Sequence, residues 1–148
     1  MDGIYAILAA AGSGTRFDAA GGGTKKQFLQ LQGRPLYQWS LAVFCHHKKI
    51  DKVVVVAPED SLEQMKNEVA GLDLEKQVFV IPGGASRQES VRKAMTFCHE
   101  QADKPEYVLI HDAARPFVTD AIIDDTISAV TAHGACTAAI ACSDTVNT

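Results

Sequence analysis

Short apolar runs, several of them β-branched, alternate along the chain with segments of helical period, and that alternation restricts it to a helix-covered, largely parallel sheet. The expected strands are Ile4 to Ala9, Lys52 to Ala57, Val78 to Ile81, Tyr107 to Ile110 and Thr137 to Ala141. Between them, Leu36, Trp39, Ser40, Val43 and Phe44 recur at helical spacing behind Pro35, whose fixed φ suits a first helical turn, so a helix from about Pro35 to His46 is expected. Leu62, Met65 and Val69 mark a second helix after Ser61. Ser86 and Glu89 read as a capping box that opens a third, running towards Gln101; a fourth follows Thr119, with Ile123, Ile127 and Val130 on one face. A length of 148 residues suits one core, so a single α/β domain is expected.

Charge narrows the range of partners. The formal net charge is −4, so no global positive field exists to hold a nucleic-acid backbone or an anionic membrane surface, and any phosphate-binding charge must be local. The longest apolar run, Ile4 to Ala11, falls far short of the roughly 20 residues of a membrane helix, and no basic stretch precedes it. A cytoplasmic protein is expected. Cys45, Cys98, Cys136 and Cys142 form no C-x-x-C pair and read as small buried hydrophobes.

The stretch Ala10 to Thr24 is rich in glycine and leaves the carboxyl end of the first strand, where ligands bind in doubly wound sheets. Ala10, Ala11, Gly12, Ser13, Gly14, Thr15 and Arg16 form an A-A-G-x-G-x-R loop whose glycines let backbone N–H groups approach an anion closely. A dinucleotide fingerprint would need a third glycine where Phe17 stands, and a P-loop would need a Gly-Lys dipeptide, which the sequence lacks. Taken alone, the loop reads equally well as a plain βα turn. Arg16, Lys25 and Lys26, however, add three cations beside it in a protein of net negative charge, a grouping able to neutralise a polyphosphate.

Two further constellations stand at strand ends. In Gly83, Gly84, Ala85, Ser86, Arg87, Gln88, Glu89 and Ser90, a strand passes into a capped helix whose exposed N–H groups can read the edge of a base. Ser86 and Glu89 are explained by capping, which leaves Ser90 as the better ligand candidate. In His111, Asp112, Ala113, Ala114, Arg115 and Pro116, a carboxylate ends an apolar strand. Next to a triphosphate site, Asp112 is a natural hard-oxygen ligand for Mg²⁺. His111 lacks a Ser, Cys or zinc-ligand partner at a suitable spacing and reads as packed or hydrogen-bonded.

Taken in order, A-A-G-S-G-T-R, K-K-Q-F followed by L-Q-G-R-P-L, G-G-A-S-R-Q-E-S-V and H-D-A-A-R-P resemble the 2-C-methyl-D-erythritol 4-phosphate cytidylyltransferase family, from Ile4 to Thr145. The resemblance implies a three-layer α/β/α sandwich with a mostly parallel, Rossmann-like central sheet, of the nucleotide-diphospho-sugar transferase type, and a homodimer. It also implies a nucleotidyltransferase of non-mevalonate isoprenoid biosynthesis, joining CTP to a polyol phosphate, 2-C-methyl-D-erythritol 4-phosphate, with Mg²⁺ and releasing pyrophosphate. By the resemblance, Arg16 and Lys26 match catalytic cations that hold the triphosphate and stabilise charge on the five-coordinate α-phosphorus. Asp112 matches the metal carboxylate, and Gly83, Gly84 and Ser90 match residues around the cytosine. Ala10, Ala11, Gly12, Gly14 and Arg87 complete the nucleotide-binding set, while Arg115 and Thr145 match positions lining the sugar-phosphate site. The expected domain is 1–148, a single nucleotide-binding unit without the family's C-terminal portion and dimerisation arm. Ribitol-5-phosphate cytidylyltransferase and a CTP-binding module without turnover are the alternatives, and Ala114 favours the isoprenoid enzyme over the first.

Overall fold

The computed structural model describes residues 3–12 and 24–140. The chain divides into two compact units, Met1–Val118 and Thr119–Thr148, each considered by itself. In the first, β1 (Ile4–Ala9) leads through a 3₁₀ turn (Lys26–Phe28) into a small hairpin, β2 (Gln30–Leu31) and β3 (Arg34–Pro35), and then α1 (Leu36–His46). There follow β4 (Lys52–Ala57), a 3₁₀ turn (Glu59–Ser61), α2 (Leu62–Ala70), β5 (Gln77–Pro82), α3 (Arg87–Glu100) and β6 (Tyr107–Asp112). The first four expected strands and the first three expected helices are therefore present, with small shifts at their ends.

The sheet has the order β5-β4-β1-β6 and is parallel throughout. Val53, Val54, Val55 and Val56 are fully buried, which accounts for an unbroken valine run where a one-sided strand would alternate with polar residues. Tyr5, Ile7, Val54 and Val56 pack on Ala94 and Cys98 of α3, with Phe79, Ile81 and Phe97 at the margin. Ala6, Leu8, Val53 and Val55 point to the opposite face by strand alternation and are equally buried, and α1 packs there against β1 and β4. Helices thus cover both faces of the sheet, giving the α/β/α layering. In the hairpin, Gln32 and Gly33 both have positive φ, 52° and 75°, the geometry of the two-residue turns that match strand twist. The hairpin is held to α1 by Trp39 Nε1, which donates to the Leu31 carbonyl at 3.2 Å, while the Arg34 guanidinium lies over the Trp39 ring.

The second unit holds α4 (Asp120–His133), capped by the Thr119 hydroxyl, which accepts from Ile122 N, and closed by Gly134 at φ 80°. The strand expected at Thr137 to Ala141 is not found. Residues 137–140 are irregular and exposed, Ile140 to 96%, and residue 141 lies outside the described residues. A short β-prone run becomes a strand only where a ladder partner pairs with it, and none of the described strands does so.

Candidate functional site

Parallel register brings the carboxyl ends of the strands level: Ala9 stands opposite Val56 on one side and Asp112 on the other, and Ala57 stands opposite Pro82. The segments that leave these ends are the ones singled out in the sequence. Ala10 N donates to Val56 O at 2.9 Å, Gly83 N to Ala57 O at 2.8 Å, and Ala113 N to Ala9 O at 3.1 Å, so all three loops are tied to neighbouring strands as they depart.

The loops after β1 and β5 touch. A Cβ built on Gly83 would lie 2.4 Å from Ala11 Cβ and 2.9 Å from Ser90 Oγ, a distance that real side chains do not tolerate. Glycine is needed here for close approach. A Cβ on Gly12, by contrast, would meet none of the described residues within 4 Å. Ser90 is buried; its hydroxyl accepts from Gly84 N at 3.0 Å and donates to Ser86 O at 2.9 Å, so it shapes the glycine turn from within. Ser86 caps α3 by accepting from Glu89 N at 3.1 Å, and Glu89 accepts from Ala85 N instead of from the cap residue itself. Lys93 Nζ donates to Gly83 O at 2.9 Å from the next turn of the helix.

Asp112 ends β6 between two arginines. Its Oδ1 receives Arg87 Nε at 3.0 Å and Arg87 Nη2 at 2.9 Å, and its Oδ2 lies 3.4 Å from Arg115 Nε. The loop behind it is stapled from two sides, because Arg115 O accepts from Ser40 Oγ of α1 at 3.0 Å and lies 2.9 Å from His111 Nε2. Burial pushes the His111 pKa down, and the ring lies against Phe44, as expected of a packed histidine. The neutral tautomer consistent with that contact carries its proton on Nε2.

Of the expected cations, Lys26 lies on the 3₁₀ turn and is exposed. Its neighbour Lys25 is bound to both oxygens of Asp60, at 2.5 and 2.7 Å, and holds that carboxyl below its usual range. Lys25 is thereby removed from the free cations expected beside the loop. Arg16, Gly14 and Thr145 lie outside the described residues, as does Cys142. Cys45 and Cys98 are buried as expected, but Cys136 is exposed, because it follows the end of α4 in the irregular stretch. Gln27 is not singled out by the sequence. It is buried and donates through Nε2 to Ala10 O at 2.8 Å and to Gly12 O at 3.1 Å, joining the 3₁₀ turn to the start of the Gly-rich stretch. Its place in the K-K-Q-F run beside Lys26 is the signal the sequence offers.

Among the described residues no group of three or more His, Cys, Asp or Glu side chains is placed to hold a metal. Asp112 is the carboxylate that ends β6, and it is paired with Arg87 and Arg115. Mg²⁺ is commonly held by one or two carboxylates together with substrate phosphates and water, a mode open to Asp112 on its Oδ2, where the Arg115 contact is the longer one at 3.4 Å.

The chain reverses direction of growth across the sheet between β1 and β6, and the loops gathered there present backbone donors, an exposed lysine and an arginine–aspartate cluster. These features define a doubly wound α/β domain, a class in which ligands bind at the topological switch point, here between β1 and β6. The model of the 2-C-methyl-D-erythritol 4-phosphate cytidylyltransferase (IspD) family matches residues 4–148, and the chain belongs to that family. It is 38% identical over 147 residues to the 2-C-methyl-D-erythritol 4-phosphate cytidylyltransferase of Clostridium kluyveri, covering 99% of this chain and 61% of that protein. It is 39% identical over 130 residues to the ribitol-5-phosphate cytidylyltransferase of Vibrio parahaemolyticus, covering 87% and 53%. Among solved structures it resembles the 4-diphosphocytidyl-2C-methyl-D-erythritol synthase of Anaerococcus prevotii, with a TM-score of 0.70 and 25% identity over 88% of this chain and 52% of that one. The chain thus spans between about half and three-fifths of the length of these relatives.

Proposed function

We propose that this chain is a CTP-dependent cytidylyltransferase that joins CTP to 2-C-methyl-D-erythritol 4-phosphate, giving 4-diphosphocytidyl-2-C-methyl-D-erythritol and pyrophosphate in isoprenoid biosynthesis. The observation that carries the reading is the contact of the Ala11 and Gly83 loops beside Asp112 at the strand ends, in a chain matched by the family model from residue 4 to residue 148. The nucleotide-binding set is Ala10, Ala11, Gly12, Gly14, Gly83, Gly84, Arg87 and Ser90, with Ser90 acting through the Gly84 N–H it holds. Arg115 and Thr145 are the residues assigned to the acceptor phosphate by the family resemblance. A homodimer in the cytoplasm completes the proposal.

The chemistry needs no general base. A phosphate monoester is largely dianionic at pH 7 and attacks the α-phosphorus directly, so the protein's task is to align two anions and offset their repulsion. Lys26 and Arg16 supply positive charge that matters most when the α-phosphorus is five-coordinate. Arg87 and Arg115, held in place by Asp112, add two guanidinium groups at the same end of the sheet. Asp112 would hold Mg²⁺, which when bound neutralises phosphate charge and favours departure of pyrophosphate.

A second reading has its own support. The similarity to a ribitol-5-phosphate cytidylyltransferase makes ribitol 5-phosphate the competing acceptor. The test is pyrophosphate release with CTP, Mg²⁺ and each polyol phosphate in turn, run beside calorimetry with CTP on the same preparation. Release with methylerythritol phosphate and not with ribitol phosphate is expected. The opposite preference overturns the acceptor, and CTP binding without release from either overturns the transferase in favour of a binding module.

A further inference from the structure

We infer that Gln27 is a positioning residue for the phosphate end of the nucleotide, an inference that rests on the CTP-binding reading above. Gln27 is 4% exposed and stands on the 3₁₀ turn Lys26–Phe28, immediately after the exposed Lys26. Its Nε2 reaches back across the sequence to Ala10 O at 2.8 Å and Gly12 O at 3.1 Å, so both amide hydrogens are used on the two carbonyls that bracket Ala11.

Two consequences follow from that geometry. Turning the carbonyls of Ala10 and Gly12 towards a buried donor constrains the peptide planes between them, and with them the directions in which the neighbouring N–H groups point. The same two bonds tie the backbone that carries Lys26 to the loop leaving β1, so the lysine and the loop donors act on one anion as a unit. The other tie on this segment, Lys25 to Asp60, is solvent-exposed and contributes little by comparison. The buried hydrogen bond from the Gln27 amide to Ala10 O is the stronger constraint.

The residue therefore acts through Lys26 and the loop and does not itself touch the nucleotide. Gln27→Met keeps the length and approximate volume of the side chain while removing both donors. Gln27→Glu keeps the shape but turns the group into an acceptor, and a buried carboxylate facing two carbonyls has its pKa raised, so lowering the pH restores one O–H donor.

The test is calorimetric affinity for CTP in the 148-residue chain, for the parent, Gln27→Met, Gln27→Glu, Lys26→Ala and the Gln27→Met/Lys26→Ala pair, with melting curves to confirm that each folds. Gln27→Met is expected to weaken CTP binding about tenfold in the parent and less than about threefold in the Lys26→Ala background. The Gln27→Glu deficit relative to the parent is expected to shrink from pH 7.5 to pH 5.5 while that of Gln27→Met stays constant. Unchanged CTP affinity in a folded Gln27→Met, or losses that simply add in the double variant, would overturn the positioning role. A parent chain that binds neither CTP nor inorganic triphosphate overturns the nucleotide reading, and this inference with it.

Discussion

Two adjacent lysines carry the same formal charge and have different surroundings. Lys25 is spent on Asp60, whereas Lys26 is exposed on the first residue of a 3₁₀ turn. A lysine neutralised one-to-one by a carboxylate responds less to negative charge growing on a reacting phosphate than an exposed one does, whereas Arg87 and Arg115 share a single carboxylate and keep a net positive charge, so the two lysine substitutions should separate. Lys26→Ala is expected to lower kcat by about 10² to 10³, the range seen when one preorganised donor to a developing charge is removed, with a smaller effect on CTP affinity. Lys25→Ala should stay within a few-fold of the parent, since it breaks an exposed pair. Steady-state kinetics on the two variants checks this, and equal losses would mean that the pairing with Asp60 is not maintained in the working protein. The buried thiols give a second test at this scale. Burial pushes the Cys45 and Cys98 thiols up to about 11, from an ordinary 9.0. A raised pKa means that the unfolded chain releases these protons first, so the contribution is intact below pH 9 and stability falls as pH rises from 9 towards 11. Native protein should therefore leave both thiols unreactive towards a disulfide reagent at pH 8, with the two appearing only on denaturation, while the exposed Cys136 reacts at once. Rapid native labelling of Cys45 or Cys98 would contradict their burial.

Elements meet at this site through contacts a few atoms wide, and those contacts decide which changes the fold tolerates. The β1 and β5 loops are close enough that Gly83→Ala must push Ala11 or Ser90 aside, whereas a methyl group on Gly12 meets none of the described residues. Overpacking of this kind typically costs about 1 to 3 kcal/mol, so Gly83→Ala should lower the unfolding midpoint clearly and Gly12→Ala hardly at all. Denaturant titration of the two variants measures the difference; equal midpoints would show that the loops separate freely. From α1, the buried Ser40 holds the turn behind Asp112 by donating towards Arg115 O and Ala113 O. This is also where the limits of sequence reading are plainest. Strand and helix positions around the site follow from apolar period and capping residues, and Asp112 and the two glycine motifs were recognisable because their residue types are hard to explain by packing. Gln27 and Ser40 carry no such mark: an amide in a polar stretch and a hydroxyl on a helix acquire their roles only when folding brings distant carbonyls to them. The hairpin at Gln32 and Gly33 was overlooked because each of its strands has only two residues, too few for a period. Thr137 to Ala141 was misread for the opposite reason, since composition alone cannot supply a neighbouring strand.

For the molecule as a whole, the excess of acidic over basic residues sets how it meets an anionic ligand. A net charge of −4 repels a nucleoside triphosphate at long range, so attraction must come from groups within contact distance: Lys26, the guanidinium groups of Arg87 and Arg115, and backbone N–H donors of the strand-end loops. Salt acts on these two parts in opposite directions. With a Debye length of about 10 Å at 0.1 M, added salt suppresses the long-range repulsion first and weakens the close contacts less. A nucleic-acid-binding surface behaves differently, losing about 10³ to 10⁵ in affinity between 50 and 200 mM salt when several phosphates are neutralised together. CTP affinity at constant Mg²⁺ should therefore fall by no more than about tenfold over that salt range, with no measurable binding of single- or double-stranded DNA by the same preparation. The check is a calorimetric salt series with CTP beside a fluorescence-anisotropy titration with labelled DNA. A steep salt slope for CTP, or DNA binding that vanishes with salt, would reveal a broad basic surface that the charge balance does not supply, and would move the source of affinity away from the strand-end loops.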